Sequence, residues 1–269
     1  MRFGNASWGF RETPLEKQLE ITRDMGLKIL ELGIENAPND VKIGDDTKAI
    51  KDLFRKYGIE LSCGATGNDF TNGNRDDVTK IMAVIDLCSD LGIRYLRIFA
   101  GFSPVADVTG DRWDNMIYCL KTIAEYAKGK GVVPVIETHG GVDSFDDGGV
   151  EHFHTTSTTM ETMKKMLKVL PENIGVNYDP ANLYAVGIEN PDEFYQEIKN
   201  RVCCVHMKDF APMQSGHIKP AACGESNMDW GKIIDGIGKN DVIALFEYEN
   251  TEDIKEGCIR SYEYVKKFL

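Results

Sequence analysis

Residues 132–141 read VVPVIETHGG, and this stretch carries the pattern that decides the fold. A short run of β-branched and apolar residues ends in the carboxylate of Glu137, and a histidine and two glycines follow. Apolar runs of this length, bounded by polar residues and glycine, are typical of buried parallel strands. The stretch therefore predicts a core strand that has Glu137 at its carboxyl end.

The same arrangement, an apolar run that ends in polar residues, recurs on both sides of this stretch. The other predicted strands are RFGNAS near residue 3, KILELG from Lys28, IELSCG from Ile59, RYLRIFAG from Arg94, IGVNYD from Ile174, VCCVHMKD from Val202 and VIALFEYE from Val242. Strand starts recur about every 30 residues, which is the length of one strand-plus-helix unit. The intervening segments carry apolar residues at helical spacing, which predicts a helix after each strand.

Eight strands that alternate with helices predict a parallel sheet with the helices outside it. The count of eight favours closure, so we expect one α/β domain over residues 1–269, a (β/α)8 TIM barrel, which is a fold of about 250 residues. An open, doubly wound sheet is the alternative. It would be favoured by a glycine-rich phosphate loop after the first strand, but GNASWGFRE from Gly4 does not match GxGxxG.

Composition and charge exclude several classes of protein. Of the residues, 42% are hydrophobic and 28% are charged, as in soluble globular proteins. The net charge of −12 has the wrong sign for tracking phosphate backbones, so we expect no nucleic-acid partner. We also expect no membrane span, because the apolar runs are far shorter than the roughly 20 residues that a span needs. We expect no secretion signal, because MRFGNASWGFRE from Met1 has no apolar core followed by a small-residue cleavage site. The seven scattered cysteines form no CxxC pair, which favours a reducing cytoplasm.

Four consecutive predicted strands, the fifth to the eighth, end in a residue type that binds hard or borderline cations. These residues are Glu137, Asp179, His206 and Glu247. In a barrel they share the rim at which active sites lie, and three carboxylates there would repel one another unless a cation were bound among them. The donor set suits Mn²⁺ first, and also Mg²⁺, Co²⁺ or Zn²⁺, so we predict one divalent metal ion. For any one of the four, an ordinary strand-end cap or ion pair is the alternative.

Five motifs resemble the xylose isomerase-like (β/α)8 superfamily, which includes D-tagatose 3-epimerase-type enzymes, hydroxypyruvate isomerase, inosose dehydratase and endonuclease IV. The motifs are ETHGG from Glu137, GVNYDPAN from Gly175, VHMKD from Val205, GESNMDW from Gly224 and FEYE from Phe246. The resemblance covers essentially the whole chain. It implies that the four strand-end residues hold the metal, that Glu137 and Glu247 exchange protons with substrate, and that the chain forms a homodimer.

The predicted function is that of a sugar isomerase or epimerase that removes a proton next to a carbonyl through a metal-stabilised enediolate. Its partner would be a small carbohydrate. A dehydratase or lyase, of the inosose dehydratase type or one that cleaves 3-oxo glycosides, is the alternative. It differs only in having a leaving group β to the abstracted proton. An AP endonuclease is disfavoured, because Asn182 replaces the histidine of the DxxH motif, which also favours one metal over several.

Five residues are further candidates for substrate binding: Trp8, His139, Asn182, Lys208 and Glu225. His139 would contact hydroxyl groups or brace its own loop, and the Asn182 amide would bind a hydroxyl. Lys208 would neutralise an enediolate oxygen or a carboxylate, or else pair with Asp209 or Glu225. Trp8 would form an apolar wall together with Phe99 and Phe102, unless these aromatics are ordinary packing. Glu31 and Arg97 would point to the same rim or pair with each other.

Two long polar segments, residues 140–155 and 214–226, are candidate covers over the site, because long loops in compact domains are often functional lids. His152 and His154 lie in the first of them. A second metal site there is one interpretation, and surface histidines are the favoured one.

Overall fold

A barrel of parallel strands forms the centre of the computed structural model, which describes residues 1–238 and 240–269. The strands, in chain order, are β1 (Arg2–Asn5), β2 (Ile29–Leu30), β3 (Leu32–Gly33), β4 (Cys63–Ala65), β5 (Tyr95–Ile98), β6 (Val133–Glu137), β7 (Gly141–Ser144), β8 (Val150–Phe153), β9 (Gly175–Tyr178), β10 (Val202–Met207), β11 (Asp209–Pro212), β12 (Ile218–Ala221) and β13 (Ile243–Phe246). The barrel strands are hydrogen-bonded in the order β2-β1-β13-β10-β9-β6-β5-β4-β3. Each of the predicted strands is present, so the (β/α)8 prediction is confirmed.

The second predicted strand, KILELG, is split into β2 and β3 on either side of Glu31. β2 pairs with β1, whereas β3 pairs with β4. This segment therefore joins the two ends of the sheet and nearly closes the barrel. Its split leaves the Glu31 side chain free to point to the rim.

Helices follow the strands and cover the outside of the barrel. They are α1 (Leu15–Asp24), α2 (Thr47–Tyr57), α3 (Asp76–Leu91), α4 (Gly110–Ala127), α5 (Met160–Val169), α6 (Pro180–Ala185), α7 (Pro191–Ile198), α8 (Trp230–Ile237) and α9 (Ile254–Val265). Their ends obey local rules: the Asp46 side chain accepts hydrogen bonds from the first turn of α2, and Gly58 ends that helix with a φ of 65°. Among the described helices, none is long and apolar enough to cross a membrane.

The two predicted covers differ from the irregular loops that we expected. β7 and β8 form an antiparallel hairpin, β11 and β12 form another, and Val150 pairs with Ile218 to join them. The resulting sheet has the order β11-β12-β8-β7 and is called the cover sheet below. A tight turn that includes Gly148, at a φ of 77°, lets the first hairpin fold back on itself.

Candidate metal centre

The structure brings together the four residues that the strand-end pattern predicted. Glu137 ends β6, Asp179 directly follows β9, His206 lies within β10, and Glu247 directly follows β13. These strands are neighbours in the barrel, so the four side chains meet at its carboxyl rim. One potential ligand atom of each lies within 4.8 Å of the others, and all four residues are buried.

The geometry of the cluster fits a divalent cation. His206 Nδ1 lies 3.4 Å from Glu137 Oε1 and 3.3 Å from Glu247 Oε2. Asp179 Oδ2 and both ring nitrogens of His206 are buried without a hydrogen-bond partner among the residues described. Buried polar atoms without partners are costly, and a cation bound in the cluster would satisfy Asp179 Oδ2 and one of the two ring nitrogens. Three carboxylates and one imidazole are a donor set for one divalent ion.

Local structure orients the Asp179 carboxylate. Its Oδ1 accepts a hydrogen bond of 2.9 Å from the backbone N–H of Asn182, which caps the N-terminus of α6. Pro180 occupies the first turn of that helix, a position where a missing N–H costs nothing. With Oδ1 engaged in this way, Oδ2 is left facing the cluster.

Two buried cations also contact the cluster. The Lys208 ammonium lies 3.0 Å from Glu247 Oε2, 3.0 Å from Glu249 Oε1 and 3.6 Å from Asp179 Oδ2. Arg97 Nε lies 3.3 Å from Glu137 Oε2. Glu249 was missed in the sequence; its signal was its position two residues past Glu247, on the same rim.

The predicted alternative partners of Lys208 were wrong. Asp209 Oδ2 instead accepts hydrogen bonds from the backbone of Gly224 and from the Trp230 indole. Glu225 pairs with Arg260 at 3.1 Å, away from the cluster. These two carboxylates fasten the loop that follows the cover sheet.

Of the two interpretations of Glu31 and Arg97, the structure agrees with the shared rim: both lie beside the cluster, and they do not pair with each other. Glu31 Oε2 accepts hydrogen bonds from the backbone N–H and the hydroxyl of Ser7, both at 3.1 Å. Its other oxygen lies 3.6 Å from His206 Nε2. Glu31 is therefore a further carboxylate beside the cluster, on the side of the imidazole that faces away from Glu137 and Glu247.

Burial and mutual charge perturb the ionisation of the cluster. Burial would raise the pKa of Glu137, but His206 and Arg97 outweigh it and hold the pKa at about 2. Burial would likewise raise the pKa of Glu247, which His206 and Lys208 bring well below its usual value. Burial raises the pKa of Asp179 to about 7, helped by Glu137 and Glu247 against the opposing charge of Lys208. The pKa of His206 is raised well above its usual value, because Glu247 and Glu137 outweigh the effect of burial.

These shifts predict that divalent cations compete with protons for the site. Without a cation, His206 is protonated near neutral pH and Asp179, with a pKa of about 7, is partly so. Metal affinity should therefore rise with pH, by up to about tenfold per pH unit for each proton displaced. The contribution of Asp179 to this pH dependence should disappear above pH 7, where its carboxylate is already ionised, whereas the contribution of His206 should continue to higher pH. Titration calorimetry with Mn²⁺ in buffers of different ionisation enthalpy measures the protons released. A Kd independent of pH between 6 and 8 would contradict the prediction.

A cavity of about 340 Å³ lies over the cluster, between the barrel rim and the cover sheet. Of the predicted substrate-binding residues, Trp8, His139 and Lys208 line it. Asn182 lies beneath, where its Nδ2 donates to Glu137 Oε1 at 3.2 Å. Glu225 does not line the cavity. His139 also braces its loop, since its ring nitrogen Nδ1 lies 2.6 Å from the carbonyl oxygen of Gly140.

His152, within β8, and His154, which directly follows that strand, lie in different places. His152 lines the cavity, and burial lowers the pKa of its imidazole to about 3, so the ring is neutral. It is therefore not the surface histidine that we favoured. His154 lies 3.4 Å from the Thr158 hydroxyl and does not line the cavity.

Comparison with known proteins identifies the family. The profile described as the xylose isomerase-like TIM barrel matches residues 19–267. No curated protein sequence matches the chain.

Solved structures with the same fold have low sequence identity to the chain. The probable 3-DHS dehydratase AsbF of Bacillus anthracis superposes with a TM-score of 0.78 at 14% identity, covering 99% of each chain. The D-allulose 3-epimerase of Methylomonas sp., in complex with D-allulose, has a TM-score of 0.77 at 14% identity, covering 100% of this chain and 97% of its own. The IolI protein with a bound zinc atom has a TM-score of 0.74 at 15% identity, covering 100% and 99%. The match of the family profile over most of the chain shows that this protein belongs to the xylose isomerase-like TIM barrel family.

Proposed function

We propose that the chain is a metal-dependent isomerase or epimerase of a carbohydrate, acting on a carbon next to a carbonyl. The observation that carries the proposal is that Glu137 and Glu247 both line the cavity and flank the same imidazole nitrogen of His206. A divalent ion held by Glu137, Asp179, His206 and Glu247 would polarise a carbonyl and a neighbouring hydroxyl and so acidify the C–H between them. Among the similar structures, an epimerase bound to D-allulose and a protein with zinc are consistent with this chemistry.

The two glutamates are suited to moving the proton. The pKa values of both lie below neutral pH, so both carboxylates are ionised there, as a group that accepts a proton from carbon must be. If one takes the proton from one face and the other returns it from the opposite face, the configuration at carbon is inverted. Return to the neighbouring carbon would instead interconvert an aldose and a ketose.

Neighbouring side chains hold each glutamate in place. Asn182 donates to Glu137 Oε1, and Arg97 lies 3.3 Å from Glu137 Oε2. Lys208 lies 3.0 Å from Glu247 Oε2 and lines the cavity, so its charge would also stabilise an anionic oxygen of the substrate. Pre-oriented charges of this kind lose little free energy to reorganisation during the reaction.

Isotope exchange tests the proposal. The Mn²⁺-loaded protein is incubated in D₂O with ketohexoses, inososes and 3-oxo sugars and followed by proton NMR. We expect loss of the signal of the proton next to the carbonyl, together with formation of an isomer. Elimination to an enone without an isomer would overturn the proposal in favour of a lyase. No exchange with any of these sugars would also count against it.

A further inference from the structure

One wall of the cavity is a continuous array of rings, named here the aromatic belt. Its members are Phe99, Phe102, His139, His152 and Phe210, and all of them line the cavity. The His139 ring centroid lies 5.2 Å from that of Phe99, 5.5 Å from that of Phe102 and 6.4 Å from that of His152. The His152 centroid lies 4.9 Å from that of Phe210. These are the separations at which aromatic rings interact, so the belt runs unbroken from the segment after β5 to β11.

The register of the cover sheet extends this wall. Val142 on β7 pairs with His152 on β8, and Phe210 on β11 pairs with Pro220 on β12. Val150 lies two residues before His152 and therefore on the same face, since side chains alternate along a strand. All five of these residues line the cavity. The sheet thus turns one apolar face toward the metal cluster.

The opposite face of the cover sheet carries exposed charged residues. Asp143 pairs with Glu151, and both are exposed; Lys219 on β12 is exposed as well. Sorting of apolar and polar residues between two faces is typical of a sheet that packs against a hydrophobic core. Here, however, the apolar face borders a cavity, and Val142 is still 41% exposed. At the cavity, this apolar face therefore does not pack against a hydrophobic core.

The floor of the cavity has the opposite character. Glu137, Glu247, Lys208 and Arg97 are all buried there and are charged or strongly polar. A free sugar carries hydroxyl groups all around its ring. A hydroxyl that lay on the phenylalanine rings of the belt, or on Val142 and Val150, would lose its hydrogen bonds to water without replacement, which costs binding free energy. Within the belt, only the imidazoles of His139 and His152 offer ring nitrogens to a hydroxyl. One aromatic ring suffices as a platform for the C–H face of a sugar, and the belt is larger than that.

We infer that the ligand has two ends: a hydroxylated sugar ring that reaches the metal cluster, and a flat apolar substituent that lies on the belt and the apolar face of the cover sheet. The substrate class is then a sugar joined to an aromatic-sized group rather than a free monosaccharide. This inference rests on the proposed function for the sugar end. The apolar end follows from the cavity wall alone.

A matched pair of probes tests the inference. Binding of 4-nitrophenyl β-D-glucopyranoside and of methyl β-D-glucopyranoside to the Mn²⁺-loaded full chain is measured by titration calorimetry. Because the nitrophenyl ring would be removed from water against the belt, we expect it to bind at least about tenfold more tightly than the methyl glycoside. Equal Kd values for the two probes would overturn the inference.

Two variants test whether the cavity wall causes the preference for the nitrophenyl glycoside. The double variant Phe102→Ala/Val150→Thr removes one ring of the belt and makes β8 polar where it borders the cavity, so it should reduce the ratio of the two Kd values to less than about threefold. Tyr118→Ala removes an aromatic ring that is 49% exposed on α4, and it should leave the ratio as in the unchanged chain. A ratio that survives the double variant, or is lost in Tyr118→Ala, would overturn the inference.

The outcome is separable from that of the proposed function. A strong preference for the nitrophenyl probe in a protein that shows no isotope exchange would support the substrate class and overturn the reaction. Isotope exchange with free ketohexoses, together with equal Kd values for the two probes, would do the reverse.

Discussion

Replacement of Glu137 by glutamine is expected to lower the turnover number by about 10²- to 10⁴-fold, the range that positioned acid–base groups contribute. The amide has nearly the shape of the carboxylate and can still accept the hydrogen bond that Asn182 donates to Glu137 Oε1. It cannot take a proton from carbon near neutral pH. The rate of isotope exchange under saturating Mn²⁺, measured by NMR, gives the change in turnover, and calorimetry on the same sample verifies that metal is bound.

Glu125→Gln is the matched control. Glu125 lies on α4, its side chain is 71% exposed, and it pairs with Lys128 at the surface. Its replacement should leave turnover within about twofold, because exposed ion pairs contribute little. A Glu137→Gln protein that binds Mn²⁺ and keeps full turnover would show that Glu137 does not move the proton.

Replacement of His206 by alanine is expected to weaken Mn²⁺ binding by at least about 100-fold, since it removes the one nitrogen donor of the cluster. It also removes a charge that lies 3.4 Å from Glu137 and 3.3 Å from Glu247. The buried carboxylates then repel one another without this compensation, so the metal-free variant should have a lower Tm as well. In the unchanged protein, Mn²⁺ should raise the Tm by mass action, and in His206→Ala this rise should disappear. Thermal unfolding with and without Mn²⁺ measures both effects.

His217→Ala serves as the control for a lost histidine. The His217 ring stacks on Phe145 at 3.9 Å and pairs with Asp147 at 2.9 Å, at the outer end of the cover sheet. Its loss should leave the rise in Tm with Mn²⁺ unchanged. If His206→Ala kept the full rise, the ion would be bound elsewhere.

Much of the fold could be predicted from the sequence, because each barrel strand is a short apolar run that can be recognised without knowledge of its partners. The carboxyl end of each run can be recognised in the same way. This is why the four residues of the cluster could be identified before their proximity was known: Glu137, Asp179, His206 and Glu247. Strand order then places them side by side. Local pattern and topology together were sufficient for this part of the site.

The partners of those residues could not be predicted, because they depend on the lateral geometry of the rim. Lys208, between the end of β10 and the start of β11, reaches Glu247 and Glu249, whereas its sequence neighbour Asp209 is engaged by Gly224 and Trp230. Glu31 turns to Ser7 and His206 because the strand KILELG breaks at that residue. A break of this kind has no signature in the apolar pattern.

The cover sheet could not be predicted for a similar reason. Its two hairpins lie far apart in the chain and are joined through the pair of Val150 and Ile218. Each segment, taken alone, has the polar composition that is typical of a loop. The alternation of Val150, Glu151 and His152 was the available signal, and it was too short to decide between a strand and a loop.

Asn182 contacts the cluster through both its side chain and its backbone. Its side chain donates to Glu137 while its backbone N–H donates to Asp179, so the residue positions two members of the cluster. An amide is a poor metal ligand compared with an imidazole, which agrees with the prediction of one ion rather than several.

The central claim is that these four residues bind a single divalent ion. Anomalous diffraction from crystals grown with Mn²⁺ tests it most directly. We expect one strong anomalous peak per chain, within coordination distance of Glu137, Asp179, His206 and Glu247. A map with no peak among these residues, or with its strongest peak elsewhere in the chain, would show that the four residues do not form the metal site.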